Sequence, residues 1–235
     1  GSDIGVRATD EMLADLLVED LANDGARLRH DLPGIMKELV DDSVLLHDGS
    51  EYNLQTKESA EWDEQFRNQI AKIRQDVASV AQERKTRLRA AIEESLKTLR
   101  LQQGVSRVNR DLQLHFGSSD PEQNGQVIPV WVRDGWEVGD KDVLAKARAA
   151  GSDSSVIFAF LPQSREDVLR ENLLRMKAAQ AVLDLKGVPT TRESEEARNA
   201  MDTRRQEAER TIEQIIRDIL SGAKVFKGGG TELHA

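Results

Sequence analysis

The densest group of cationic side chains lies in one short run, residues 83–89, where it could bind phosphate. Arg84, Lys85 and Arg87 carry positive charge within four positions, and Arg89 follows. Cations at this spacing project from neighbouring faces of a helix and could neutralise phosphates of a nucleic acid. The favoured alternative is a solvated helix whose cations pair with carboxylates four residues away. The sequence leaves both interpretations open.

A second set of cations, Arg27, Arg29 and Lys37, flanks a predicted helix near the N-terminus. If this helix entered a groove of DNA, the three side chains would be candidate phosphate contacts. The same phosphates would repel the neighbouring carboxylates, and contact with another protein is therefore the favoured use of this segment. The carboxylates in question are Asp31, Glu38, Asp41 and Asp42.

Two of the three tryptophans, Trp131 and Trp136, stand on either side of Arg133. Because Pro129 cannot donate to a strand ladder, we expect its strand at a sheet edge, where both rings cannot easily point inward. An exposed Trp, Arg and Trp set resembles an interaction hot spot. The favoured alternative is that both rings pack against the stalk or neighbouring helices. The sequence thus offers Trp131, Arg133 and Trp136 as candidate partner contacts.

Catalytic and metal-binding signatures are missing from the sequence. It contains no cysteine, no Gly-Lys pair for a phosphate-binding loop and no Gly-x-Ser-x-Gly nucleophile turn. Paired carboxylates such as Glu93-Glu94 fall on predicted solvated helix faces, where nothing would perturb a pKa. The four histidines are too scattered to share a metal ion: His30, His47, His115 and His234. We therefore expect no catalytic, metal, cofactor or small-molecule site in this chain.

Apolar periodicity predicts the elements that position these residues, and the fold class is α+β, mostly α. Thr9 and Asp31 are predicted to cap two helices, and two short strands around Asp48-Gly49 would complete a winged-helix-like unit. The predicted order is a winged-helix-like acidic unit (1–56), a long stalk helix (57–104), a small α/β unit (105–162), returning stalk helices (163–222) and a flexible tail (223–235).

The stalk prediction follows from helix length. A helix of about 40 residues would span on the order of 60 Å, so it needs another helix along its length. Two predicted helices follow the α/β unit in sequence. This order favours an antiparallel, coiled-coil-like stalk with that unit inserted at its tip. Seams within one chain and between chains have the same period, so homo-oligomerisation stays open.

Negative charge is concentrated at the N-terminus. The chain has 235 residues and a net charge of −9, and its first 56 residues hold 13 acidic and 4 basic side chains. The rest of the chain is neutral. This distribution disfavours DNA binding by the N-terminal unit in particular. Without a run of about 18 apolar residues or a basic leader, we expect a cytoplasmic protein with no membrane partner.

Four stretches carry a resemblance to a known family: DLLVEDLANDG (15–25), LQTKE (54–58), PVWVRDGW (129–136) and AKVFKGGG (223–230). They resemble segments of the large P-loop ATPase of bacteriophage-exclusion (BREX) defence systems, the BrxC/PglY type. Together they extend over nearly the whole chain, and they are family-like strings rather than a mechanistic motif. Gly1-Ser2 is typical of the remnant of a cleaved tag, which agrees with a piece of a longer polypeptide.

The resemblance implies a bacterial segment that lies downstream of an AAA+-like module. ATP and Mg²⁺ would belong to that module, since no Walker residue can be placed on this chain. It further implies a role in excluding phage DNA, alongside a methyltransferase and other BREX subunits.

We therefore expect a non-catalytic structural and interaction region that couples the ATPase module to oligomerisation or to partner subunits. The alternative is a DNA-contacting arm of the same ATPase, through the winged helix or the Arg84 patch. An enzyme with an unrecognised site in the α/β unit is the third hypothesis.

Overall fold

The structure is a computed structural model. It describes residues 8–18, 25–41, 44–48, 51–54, 56–97, 99, 101–103, 108–123 and 127–233. Its elements in chain order are α1 (Asp10–Leu17), α2 (Gly25–Asp41), β1 (Leu45–Asp48), β2 (Glu51–Leu54), α3 (Lys57–Gln75), α4 (Val77–Leu96), β3 (Leu101–Gln103), β4 (Val108–Phe116), β5 (Val127–Asp134), α5 (Asp140–Ala149), β6 (Ile157–Leu161), α6 (Glu166–Lys186), α7 (Arg192–Ser221), β7 (Lys224–Lys227) and β8 (Glu232–Leu233).

The elements confirm an α+β fold that is mostly helical and carries a mixed sheet. The described residues fall into two compact units. The N-terminal unit contains those up to residue 69 together with 181–203, and the sheet unit contains 70–180 and those from 204 onward. This division differs from the predicted boundary near residue 56, because helices α3, α6 and α7 contribute residues to both units. No helix in the described part of the chain is long and apolar enough to cross a membrane.

A small apolar cluster holds the beginning of the N-terminal unit together. The Thr9 hydroxyl oxygen accepts a hydrogen bond from the Met12 N–H at 3.3 Å, which starts α1 at the predicted cap. Ala14 of α1 is buried with Leu32 and Met36 of α2. The predicted hairpin is also confirmed, since β1 and β2 pair in antiparallel register. Residues 49–50 of its turn lie outside the described part of the chain.

The predicted helix start at Asp31 is wrong, because α2 already begins at Gly25. Asp31 lies inside the helix, and its carboxylate pairs with Arg27 one turn earlier at 3.5 Å. Pro33 also lies inside α2, where it has no N–H to donate to the preceding turn. The Asp31 side chain, which was predicted to cap the helix, therefore forms an ion pair within it instead.

The predicted stalk helix over 57–104 is two helices. α3 ends at Gln75, and Asp76 adopts φ −95° and ψ 71° before α4 begins. The Asp76 carboxylate accepts a hydrogen bond from the Ser79 N–H at 3.0 Å, as expected of a strong N-cap residue. Val77, the first residue of α4, is consequently 73% exposed at the break.

The strands of the sheet unit lie in the order β3-β4-β5-β6-β7-β8. β4, β5 and β6 are parallel, and the other neighbouring pairs are antiparallel. β5 is therefore interior, which contradicts the edge position predicted from Pro129. Pro129 removes only one donor from the ladder, and β5 keeps its pairing with β4 and β6 on either side.

Alternate residues of β5 face two different apolar layers, as the two-residue period of a strand requires. Val130 and Val132 pack in a cluster with side chains from α4, α6 and α7. Trp131 packs in a second cluster, with Phe158 of β6 and side chains of α5. Helices thus cover both faces of the sheet, which explains why β6 is apolar throughout.

The prediction of a flexible tail over 223–235 is wrong as far as residue 233. β7 pairs with β6, placing Phe226 opposite Phe158, and β8 pairs with β7. The α/β unit therefore extends beyond the predicted 105–162, since it recruits these strands and β3. Residues 234–235 lie outside the described residues.

The glycine run 228–230 forms a tight turn against the end of α5. The Gly229 N–H donates to the Ala147 carbonyl at 2.9 Å, which satisfies a carbonyl in the last turn of that helix. A Cβ atom at Gly228 would lie 2.4 Å from the Gly151 carbonyl oxygen. Close approach, rather than mobility, accounts for the composition of this segment.

Candidate interaction site

Two sets of candidate residues that are separate in sequence meet in the sheet unit. α4 presents Arg84 and Lys85, and the turn between β5 and α5 presents Trp136 and Glu137. The Arg84 guanidinium carbon lies 4.3 Å from the centroid of the Trp136 ring, a cation–π distance. Lys85 Nζ lies 2.5 Å from a carboxylate oxygen of Glu137. The candidate DNA contacts of α4 therefore contact the candidate partner site.

Glu137 is the electrostatic centre of this junction. Besides Lys85, it attracts Arg133, whose Nη2 atom lies 3.6 Å from the second carboxylate oxygen. The hydrogen bond from Lys85 is the main cause that lowers the pKa of Glu137 below its ordinary value, and the charges of Lys85, Arg133 and Arg84 add to the effect.

Arg87, the third cation of α4, is held between two carboxylates. Its Nε donates to Glu83 at 2.7 Å, and its Nη1 donates to Glu209 of α7 at 2.6 Å. Burial lowers the pKa of Arg87, but the hydrogen bonds to Glu209 and Glu83 outweigh burial and raise it overall. Arg87 thus fastens α4 to α7, and its guanidinium is already occupied.

The burial of Trp131 contradicts its prediction as an exposed partner contact. The ring is 3% exposed and packs edge-to-face on Phe158, with ring centroids 5.7 Å apart. The indole N–H donates to the Gly117 carbonyl at 2.8 Å, and Arg133 donates to the same oxygen at 2.8 Å. The alternative of packing against helices is correct for Trp131, whereas Trp136 is only partly buried and its role in partner contact stays a prediction.

The candidate cations of α2 lie in the N-terminal unit and keep their exposure. Arg29 pairs with Asp15 of α1 at 2.8 Å, and the hydrogen bond from this pair raises the pKa of Arg29. Arg27 pairs with Asp31 on its own helix. Lys37 is exposed. Carboxylates of the same unit therefore accompany two of the three cations, and DNA contact through them stays a prediction.

Sequence reasoning missed the residues that organise the junction: Glu137, Glu209 and the carbonyl of Gly117. Glu137 follows Arg133 by four positions, but these residues run from the end of β5 into a turn, where that spacing predicts no contact. No local signal exists for Glu209, which is 122 residues from Arg87 in sequence. Such contacts depend on how the helices and strands pack, which periodicity alone does not encode.

A crevice of about 460 Å³ lies at the carboxyl ends of the parallel strands, the usual ligand position in open α/β sheets. Lys85 and Arg89 of α4 line it with Asp134 and Glu137. Lys85 is engaged by Glu137, and Arg89 by Glu93 at 2.8 Å. Within the described residues, no group of three or more His, Cys, Asp or Glu side chains is placed to hold a metal ion.

Comparison with protein-family models, with curated proteins and with solved structures finds no match for this chain.

Proposed function

We propose that this chain is a structural and interaction region, without catalysis of its own, of a BREX phage-defence ATPase of the BrxC/PglY type. It would couple the ATPase module of the longer polypeptide to oligomerisation or to partner subunits. ATP and Mg²⁺ would be bound by that module. The family part of this proposal rests on the four stretches of sequence resemblance.

The proposal of an interaction role without DNA binding rests on one observation: the cations of α4 already contact other side chains of the chain. Lys85 contacts Glu137, Arg87 contacts Glu83 and Glu209, and Arg84 stacks on Trp136. A phosphate would have to displace these carboxylates before it gained Lys85 or Arg87, and Arg84 is stacked on Trp136, which removes most of the benefit of counterion release. The basic run therefore supports an internal, structural use over a DNA contact.

Two finer features belong to the same proposal. A winged-helix-like N-terminal unit is supported by α1, α2 and the β1–β2 hairpin, in which the rings of His47 and Tyr52 stack with centroids 4.5 Å apart. A coiled-coil-like stalk is supported by the buried seam of α4 and α7, where Leu88 and Ile212 share one cluster. We infer that these helices transmit movement of the ATPase module along their length.

Two experiments test the proposal: a DNA-binding titration and a co-purification assay. The chain is mixed with a fluorescent duplex at low and high salt, and separately with each purified subunit of the same BREX system. We expect no DNA binding even at about 50 mM salt, where phosphate contacts are strongest, and retention of at least one subunit.

DNA binding that falls steeply with salt, and that is lost on reversal of Arg27 and Arg29 or of Arg84 and Arg87 to Glu, would instead establish the DNA-contacting arm. Reversal of Arg192 and Arg217, two exposed cations of α7, is the matched control. Retention of no subunit would contradict the interaction role.

A further inference from the structure

A groove of about 510 Å³ lies beside the Arg84–Trp136 contact, between α4, α6 and the β5–α5 turn. Its floor is apolar, with Val80, Leu169 and Leu173 almost fully buried beneath it. Val77 stands at its rim with 73% of its surface exposed, because the helix break at Asp76 leaves it uncovered. The groove lies entirely within the sheet unit.

Arg84 differs from the other arginines that line the groove. Arg74 pairs with Glu171 at 3.2 Å, and Arg170 pairs with Asp167 at 3.2 Å. Among the described residues, no carboxylate lies within 4.0 Å of the Arg84 guanidinium, and its buried Nε has no acceptor. Trp136, which also lines the groove, has a buried indole N–H that finds no acceptor in the described part of the chain.

The carboxylates nearest to Arg84 are committed elsewhere. Asp134 accepts a hydrogen bond from the Trp136 backbone N–H at 3.1 Å, Glu137 holds Lys85, and Glu166 accepts from Gln163. Arg84 is thus a partly buried cation that keeps only long-range attraction to these groups, and burial lowers its pKa. Buried charges are normally paired, and unpaired donors in a native fold call for a missing acceptor.

We propose that this groove binds an amphipathic helix of a partner subunit, whose apolar side chains lie over Val77 and Val80 and whose acidic side chain reaches Arg84. This inference rests on the proposed interaction function and names the chemistry of the partner. Two helices that flank an apolar groove are the setting for helix-in-groove recognition. Of the described arginines that line the groove, Arg74 and Arg170 already pair with carboxylates and Arg84 does not, so an acidic side chain of the partner complements Arg84.

The test uses the full chain and the subunit it retains in the co-purification assay. Val77→Lys places a charge at the rim of the groove on a residue that is already exposed, so the fold should survive. Val188→Lys is the matched control, because Val188 is 86% exposed and does not line the groove. We expect Val77→Lys to weaken binding at least tenfold and Val188→Lys to leave it unchanged.

A charge exchange identifies the acidic group. Arg84→Glu should weaken binding at least tenfold, and replacement of the contacting acidic residue of the partner by Arg should restore it. Circular dichroism of each variant confirms that helicity is kept, and the indole N–H signal of Trp136 should shift on binding in NMR spectra of the unmodified chain.

The outcomes separate the two proposals. If a subunit is retained equally by the unmodified chain and by Val77→Lys, the groove inference is wrong and the interaction function stands. If no subunit is retained by the unmodified chain, the interaction function itself fails, and the inference with it. If sedimentation shows self-association that Val77→Lys abolishes, the occupant is a second copy, which also overturns the inference.

Discussion

At Glu137, cations from two different elements converge on one carboxylate. Lys85 arrives from α4, and Arg133 lies at the end of β5 on the same side. Since the hydrogen bond from Lys85 is the main cause of the lowered pKa, Lys85→Met should raise the pKa of Glu137 toward its ordinary value of about 4.5. Carboxyl ¹³C NMR titration measures this directly.

The Lys85–Glu137 pair also predicts how the free energy of unfolding depends on pH. A carboxyl whose pKa is lowered by folding stabilises the protein above its unfolded pKa, and this contribution is lost as pH falls through the folded pKa. The difference in unfolding free energy between the unmodified chain and Lys85→Met should therefore be present at neutral pH and vanish in acid. Lys97→Met, which removes a partner of Glu94, is the control that leaves the Glu137 titration unchanged.

Arg87 gives a prediction of stability rather than of titration. Its side chain is only 22% exposed and bonds to two carboxylates, so Arg87→Met would leave Glu83 and Glu209 without their shared donor. We expect a loss of about 1–3 kcal/mol in the free energy of unfolding, measured by urea denaturation.

Arg89→Met is the matched control for Arg87, because Arg89 pairs with Glu93 on the same helix at 59% exposure. An exposed i,i+4 pair contributes about 0.3–0.5 kcal/mol. Equal losses for the two variants would mean that Arg87 does not fasten α4 to α7.

At the scale of elements, the glycine turn 228–230 closes the C-terminal strands onto α5. Gly228→Ala would bring a Cβ atom to 2.4 Å from the Gly151 carbonyl oxygen, a backbone atom that cannot move aside by rotation. We expect a loss of about 1–3 kcal/mol, as for other overpacked positions, together with faster hydrogen exchange at the amides of β7.

Gly34→Ala is the control for an added methyl group. Gly34 lies inside α2 with nothing within 4 Å of the new Cβ atom. Alanine should stabilise that helix by about 0.5–1 kcal/mol. A neutral Gly228→Ala variant would show that the turn is not closely packed and that mobility is the better explanation of the run.

Local patterns predicted those elements whose signals are local. The hairpin, strands β4, β5 and β6 and helices α6 and α7 follow from periodicity and from local terminators such as Gly187, whose φ of +68° ends α6. The prediction of a flexible tail was wrong because glycines indicate backbone flexibility when only the local sequence is considered. In the structure, β7 pairs with β6, which is far away in sequence. The prediction of one long helix was wrong because a single capping side chain, that of Asp76, ends the continuity that the apolar pattern indicates.

The candidate site was predicted in pieces and not as a site. Arg84 and Trp136 were each singled out, for different partners, from composition and spacing. Their contact depends on the packing of α4 against the β5–α5 turn, and no period in the sequence reports it. The carboxylates that hold Lys85 and Arg87 belong to the same class of long-range contact.

At the scale of the whole molecule, apolar burial is divided unequally. Among the described residues, the cluster that joins α1 and α2 has three buried members, Ala14, Leu32 and Met36. The main cluster of the sheet unit has fifteen buried members within the same described residues and includes Ile215, which is 0% exposed. Because protection against hydrogen exchange follows buried apolar contacts, amides of α1 and α2 should exchange much faster than those of α4 and α7.

Ile215→Ala tests whether the two clusters are energetically separate. A cavity at a fully buried isoleucine should cost about 2–5 kcal/mol, which hydrogen-exchange mass spectrometry would record as faster exchange throughout β5, β6 and the sheet-unit part of α7. Exchange in α1 and α2 should stay unchanged, because the two clusters share no residue. Val188→Ala, at an 86% exposed position, should alter neither. Equal acceleration in all five regions would mean that the chain unfolds as one cooperative body, and a region that unfolds with its neighbour cannot respond independently to a partner.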